Sequence, residues 1–210
     1  MSKASLRTGT APKQARSEQT LQRILDAAEA LICERGLAAV SIAAIVRSAG
    51  SSVGGFYGRF KDKDELLLAL SERQQGAIRD QLAALGQPET WVGLDLRAMV
   101  QRLVMALQQH LEGRERLIAA CLEAAARHPE RWAPAAAFRN EVVDRAIRIL
   151  LLRQDEFRHD DPELAAGFAI RQAFALFDVR CLYETHAPNP GDAVMGREAA
   201  RSIAAYLTSP

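Results

Sequence analysis

Between Ser52 and Lys63 the chain reads SVGGFYGRFKDK, with side chains of types that can contact a nucleic-acid backbone. Tyr57 can donate its phenol to a phosphate or stack on a sugar or a thymine methyl. Lys63 stands where a new helix begins, and there the free backbone N–H groups and the helix dipole already favour a phosphate. Arg59 and Lys61 add two cations on the way to it. Ser52 and Val53, at the start of a short helix, can face base edges, while Gly54 and Gly55 have no side chains and let that helix come close to a duplex. The same residues also fit a plainer arrangement, in which Gly54-Gly55 is a flexible loop and Phe56-Tyr57 a core pair.

Other chemistries find little footing. The three cysteines, Cys33, Cys121 and Cys181, are far apart and form no C-x-x-C. The four histidines are equally scattered, without an H-E-x-x-H or an i,i+4 pair, so neither a metal site nor any cofactor is expected. No G-x-S-x-G and no phosphate-binding glycine loop is present, and Asp160-Asp161 beside His159 reads as a helix start before Pro162. Cys33, on the first helix, is retained only as a candidate redox group.

The elements that must position the basic stretch are helical. Leu21, Ile24, Leu25, Ala28, Leu31 and Ile32 recur at spacings of three and four, which predicts an amphipathic helix from Ser17. Gly36 fits the position just past its end, where a positive φ is needed. Ser41 is placed to cap a second helix carrying Ile42, Ile45 and Val46, and Gly50-Ser51-Ser52 interrupts it. A third short helix, capped by Ser52, is predicted to run from Val53 to Phe60, and a longer one from about Asp62 to 85. Two short helices across a tight glycine turn form helix-turn-helix geometry. Beyond residue 86 the periodicity predicts helices at 96–111, 114–127, after Pro134, at 162–184 and at 192–207, with a break at Ala187-Pro188-Asn189-Pro190-Gly191. No segment alternates with period two, so the fold class is all-α.

Composition and charge agree with a soluble two-part protein. The chain has 210 residues, 49% hydrophobic and 25% charged, with no apolar run long enough to span a membrane and no signal-peptide core after Met1. A cytoplasmic protein without a membrane partner is expected. The net charge is +1, but residues 1–63 hold all four lysines and a net +5, against −4 for the remainder. That asymmetry points to a polyanion-binding part joined to a part with another role. Residues 1–16, basic and poor in large apolar side chains, read as a disordered arm.

Three quoted stretches carry a family likeness: Arg23-Ile24-Leu25-x-Ala27-Ala28-x-x-Leu31-Ile32-x-Glu34-x-Gly36, Ser41-Ile42-x-x-Ile45, and Ala49-Gly50-x-Ser52-x-Gly54-x-Phe56-Tyr57-x-x-Phe60-x-x-Lys63-x-x-Leu66-Leu67. Together they resemble the TetR family of bacterial transcriptional regulators over roughly residues 17–70. Ser51 departs from the pattern, which usually has an apolar residue there. The resemblance implies a helix-turn-helix domain at 17–63 followed by a larger helical body at 64–210 that binds an effector and dimerises. It implies a homodimer that holds a near-palindromic double-stranded operator and releases it when a small molecule enters the body. The candidate DNA contacts are Ser41, Ser52, Val53, Gly54, Gly55, Tyr57, Arg59, Lys61 and Lys63.

The body is less defined. By residue type, apolar walls with a few polar groups, the candidate ligand contacts are Met99, Leu103, His110, Trp132, Phe138, Arg171 and Gln172. Phe168, Phe174, Phe177, Ile203 and Leu207 are the candidate dimer contacts on the last two helices, unless they face the intramolecular core. The competing functions are a DNA-binding protein without an effector, either an activator or a DNA-organising protein, and an enzyme within residues 86–210, for which no converging polar set is visible.

Overall fold

The computed structural model describes residues 10–183 and 192–209, and among them there are nine α-helices and no strand. The chain divides into two units, Met1–Leu70 and Ser71–Pro210. The expected break at 187–191 lies outside the described residues, as do residues 1–9 of the expected arm.

In the first unit, α1 spans Thr10–Arg35 and so begins before Ser17, taking in the second half of the stretch read as a disordered arm. Its apolar stripe is buried through Ile24, Leu25, Ala28 and Ile32. Gly36 ends it with φ 78° and donates its N–H to Ile32 O at 2.8 Å. Helix α2, Ile42–Ser48, is capped by Ser41, whose Oγ accepts from Ala44 N at 3.1 Å. Its C-terminus turns on Gly50, at φ 58°. Gly50 N–H donates to Arg47 O and Ser51 N–H to Val46 O, the paired bonds of a left-handed glycine cap. Helix α3 follows at once.

That third helix covers Val53–Tyr57, shorter than the predicted Val53–Phe60. Gly54, Gly55 and Gly58 lower its helix propensity, and the chain continues past Gly58 as hydrogen-bonded turns, with Arg59 and Phe60 N–H both donating to Phe56 O. Phe56 is fully buried and meets the Phe60 and Tyr57 rings at 5.3 and 5.5 Å. With Ile24, Ile32, Ile45, Leu66 and Leu67 it forms the core of the unit. Helix α4, Lys63–Leu85, opens with a reciprocal cap: Asp62 Oδ1 accepts from Glu65 N, and Glu65 Oε2 accepts from Lys61 N.

The second unit contains the rest of α4 and α5 (Leu96–Leu111), α6 (Glu115–Arg127), α7 (Ala133–Leu150), α8 (Pro162–Leu182) and α9 (Asp192–Thr208). The starts of α5, α7 and α8 agree with the sequence periodicity because each has a local signal. Asp95 caps α5, Pro134 opens α7, and Asp161 with Pro162 opens α8. Helix α8 is central and packs on α6, α7 and α9. Five of its seven buried positions are small, Ala165, Ala166, Gly167, Ala169 and Ala173, beside Ile170 and Phe177, so neighbouring helices approach closely. Its opposite face is also apolar yet open, with Leu164, Phe168 and Val179 at least half exposed.

Candidate functional site

Two sets of residues carry chemistry, one in each unit. In the first unit the caps of α2 and α3 are the serines singled out in the sequence. Ser52 Oγ accepts from Gly55 N at 3.0 Å, which fixes the entry to α3 and leaves the hydroxyl proton to donate outward. Val53 and Tyr57 are about half exposed, and Gly54 is open: a Cβ there would meet only Ser52 Oγ, at 3.9 Å. Gly55 differs. A Cβ built on it would lie 2.8 Å from Ser51 Oγ, so Ser51 and Gly55 share one small space. The departure at Ser51 is therefore tied to the absence of a side chain at position 55, and Gly55 belongs to the turn's packing.

The cations separate into two roles. Lys63 Nζ donates to Leu37 O at 3.2 Å, which holds the ammonium at the start of α4 with further donors unspent. Lys61 is exposed beside it. Arg59 is engaged within the chain: Nη1 donates to Gly55 O at 2.8 Å, and Nη2 reaches both the carbonyl and the hydroxyl of Ser17. Its guanidinium straps α1 to the end of α3, a role that its place in the motif did not reveal. Ser41 is exposed and its oxygen caps α2.

In the second unit a cavity of about 350 Å³ lies between α4, α5, α6, α7, α8 and α9. Leu103, His110, Trp132 and Phe138 line it as expected. Met99 does not: it is fully buried in a separate small cluster with Trp91 and Ile149. Arg171 and Gln172 do not either. Both are exposed on α8, and Arg171 Nη1 donates to Gly167 O one turn back. The alanine positions of α8 face the core, which turns 171 and 172 outward.

The sequence reading missed Ser71, Gln75 and Gln81 on α4, Cys121 on α6, and the pair Arg139 and Asp178, all of which line the cavity. The α4 residues stand at helical spacing with the lining Ile78, Leu82 and Leu85, a signal present in the sequence. Burial and the neighbouring Arg114 lower the pKa of His110 from its ordinary value, so it is neutral at pH 7. Cys181 is pushed up to about 11, first by burial and then by Glu115 and Asp178, and stays a thiol.

Of the candidate dimer contacts, Phe168 is exposed. Phe174 and Phe177 line the cavity, as does Ile203, and Leu207 is fully buried, so these four face the intramolecular core. The outward apolar positions of α8 are instead Leu164, Phe168, Leu176, Val179 and Leu182. Among the described residues no helix is long and apolar enough to cross a membrane, and no group of three or more His, Cys, Asp or Glu could hold a metal.

Residues 24–70 match the family model of bacterial regulatory proteins, tetR family. An uncharacterised HTH-type transcriptional regulator of Bacillus subtilis (strain 168), YvdT, is 32% identical over 91 residues, 42% of this chain and 46% of that protein. The matched stretch thus spans less than half of that relative. A bacterial regulatory protein in the tetR family from Rhodococcus RHA1 has a solved structure similar over 91% of this chain and 98% of its own, with a TM-score of 0.68 at 18% identity. RolR, solved in complex with resorcinol, is similar over 94% and 97%, with a TM-score of 0.54 at 23% identity. At such identities the structural likeness establishes the fold.

Proposed function

We propose that this chain, which belongs to the tetR family of bacterial regulatory proteins, is a sequence-specific cytoplasmic transcriptional repressor. It binds a near-palindromic operator as a homodimer and releases it when a small organic molecule enters the cavity. The observation that carries this reading is the make-up of α4. Lys63, with its ammonium held by Leu37 O, opens that helix, and Ser71, Gln75, Ile78, Leu82 and Leu85 further along it line the cavity. An occupant that favours one placement of α4 shifts the population of DNA-competent molecules. RolR, of the same fold, was solved with resorcinol, which supports a small organic effector here.

On DNA, Ser52, Val53 and Tyr57 meet the major groove, Gly54 admits the duplex closely, and Lys61 and Lys63 hold phosphates. Two such heads are needed to read half-sites about one helical turn apart, ~34 Å. The outward apolar face of α8, with Leu164, Phe168 and Val179, supports a dimer built on that helix.

Selection from random duplex DNA at near-physiological salt, with Lys63→Ala as control, tests this. Enrichment of a near-palindrome by the wild type supports the repressor reading. Tight binding without enrichment would favour a DNA-organising protein, the alternative that the sparse side chains of α3 keep open. Enrichment that no small molecule relieves would leave a regulator without an effector.

A further inference from the structure

A groove on the surface of the second unit runs between α7 and α8 and shares no lining residue with the cavity. Four charged side chains line it, Asp144 and Arg148 from α7 and Glu163 and Arg171 from α8, and all four are exposed. Among the described residues none of the four makes an ion pair, whereas Arg145 of α7 pairs with Glu141 and Arg180 of α8 with Glu115. Asp144 and Arg148 stand four residues apart, a spacing at which helices commonly pair opposite charges, and remain apart. Arg171 is nevertheless held in place. Its Nη1 donates to Gly167 O at 3.1 Å, and a Cβ at position 167 would come within 3.0 Å of that nitrogen and 3.8 Å of Ile147 Cδ1. The missing side chain of Gly167 lets the guanidinium lie in the groove, anchored to a carbonyl and with its charge unspent.

Beside these charges the groove presents Leu164 and Phe168, 69% and 56% exposed. Open apolar area of this kind suits a protein partner, and the charges restrict which one. In a two-fold dimer a patch meets its own copy. A patch of one sign then repels itself, while one with both signs in equal number can satisfy itself. The groove carries two cations and two carboxylates. Its charge therefore suits a second copy of this chain and gives no preference to a polyanion or a polycation.

Building on the homodimer proposed above, we infer that the second copy seats over the α7–α8 groove, with Arg148 and Arg171 of each protomer pairing with the partner's Asp144 and the partner's Glu163. Contact through Leu164 and Phe168 supplies the attraction, and the four charges restrict it to chains that carry the complementary set. Charge reversal on the full chain tests this without DNA or effector. One variant carries Asp144→Lys and Glu163→Lys, the other Arg148→Glu and Arg171→Glu, so that each presents a groove of a single sign. By sedimentation velocity the wild type is expected to be dimeric, and each variant alone to dimerise at least about tenfold more weakly, because like charges then face like. Mixed in equal amounts, the two variants are expected to form a heterodimer at least about tenfold tighter than either homodimer, counted by native mass spectrometry.

Helical circular dichroism verifies that each variant is folded. Should a double variant unfold, the single substitutions Glu163→Lys and Arg171→Glu, mixed in the same way, are expected to give a smaller shift of the same sign. Variants that dimerise as tightly as the wild type overturn the inference and leave the homodimer reading intact. A mixture that associates no more tightly than its components overturns it too. A wild type that stays monomeric is a separate result, in which the homodimer reading fails and this inference with it.

Discussion

The two units solve opposite problems with similar materials. In the first, the apolar side chains close on one another around Phe56, and the polar ones are spent at helix ends: Ser41, Ser52 and Asp62 each cap a helix, and Arg59 straps α1 to α3. In the second, the helices leave about 350 Å³ unfilled and an indole N–H without an acceptor among the described residues. A tight core holds a recognition surface in one geometry. A core with a gap is one that a guest can complete, and the proposed division into a reading head and a sensing body rests on that contrast.

The sharpest way to break this contrast is to open the head's core. Phe56→Ala should cost ~3–5 kcal/mol of stability, measured by denaturant unfolding, because a fully buried aromatic leaves a cavity that its neighbours fill only in part. Trp132→Phe on the cavity wall should change stability by less than about 1 kcal/mol, since the change removes a donor that had no partner. Similar losses from both would mean that the body's core is as closed as the head's.

Next in size are the contacts to DNA. Lys63→Ala should weaken operator binding by ~1 kcal/mol and reduce the salt slope by about one. Tyr57→Phe should weaken binding by a similar or smaller amount, and both variants should remain dimeric by sedimentation. If neither loses affinity, the DNA face has been placed on the wrong side of α3.

A smaller effect concerns pH. The folded pKa of His110 lies below its ordinary value of 6.5, so the unfolded chain takes up that proton first. The stability associated with the neutral ring is whole above pH 6.5 and is lost as the pH falls below it. His110→Gln should therefore flatten the decline of the unfolding midpoint as the pH falls below 6.5. An unchanged decline would show that the ring is not desolvated.

The head was legible in the sequence because its determinants are local. A cap serine, a glycine at a turn and a buried Phe56 each act within a few residues, and their spacing carries over directly into geometry. Two structural roles were not legible: the bond from Arg59 to Ser17, because the two are distant in the chain, and the space that Gly55 leaves to Ser51, because it involves no side chain at position 55. The body was legible as helices and much less as a site. A cavity is missing volume bounded by six helices, and no single stripe encodes it. Helix α8 shows why. Apolar on both faces, it gives Phe168 and Phe177 the same appearance in sequence, and the small residues at 165, 166, 169 and 173 decide that one is exposed and the other lines the cavity. Arg171 and Arg139 were equally ambiguous, and only the orientation of their helices separates a surface cation from one paired at the cavity wall.

The vacancy at position 54 has an evolutionary reading. Alanine in its place would meet nothing closer than Ser52 Oγ at 3.9 Å, and it should stabilise a helix of five residues by up to ~1 kcal/mol, the smallest effect proposed and one that thermal unfolding of Gly54→Ala would register. The fold therefore does not require glycine there. On the proposed reading, a single codon change there writes a new side chain onto the DNA-facing surface without disturbing the core beneath it, so the preference for an operator can drift while the architecture stands still.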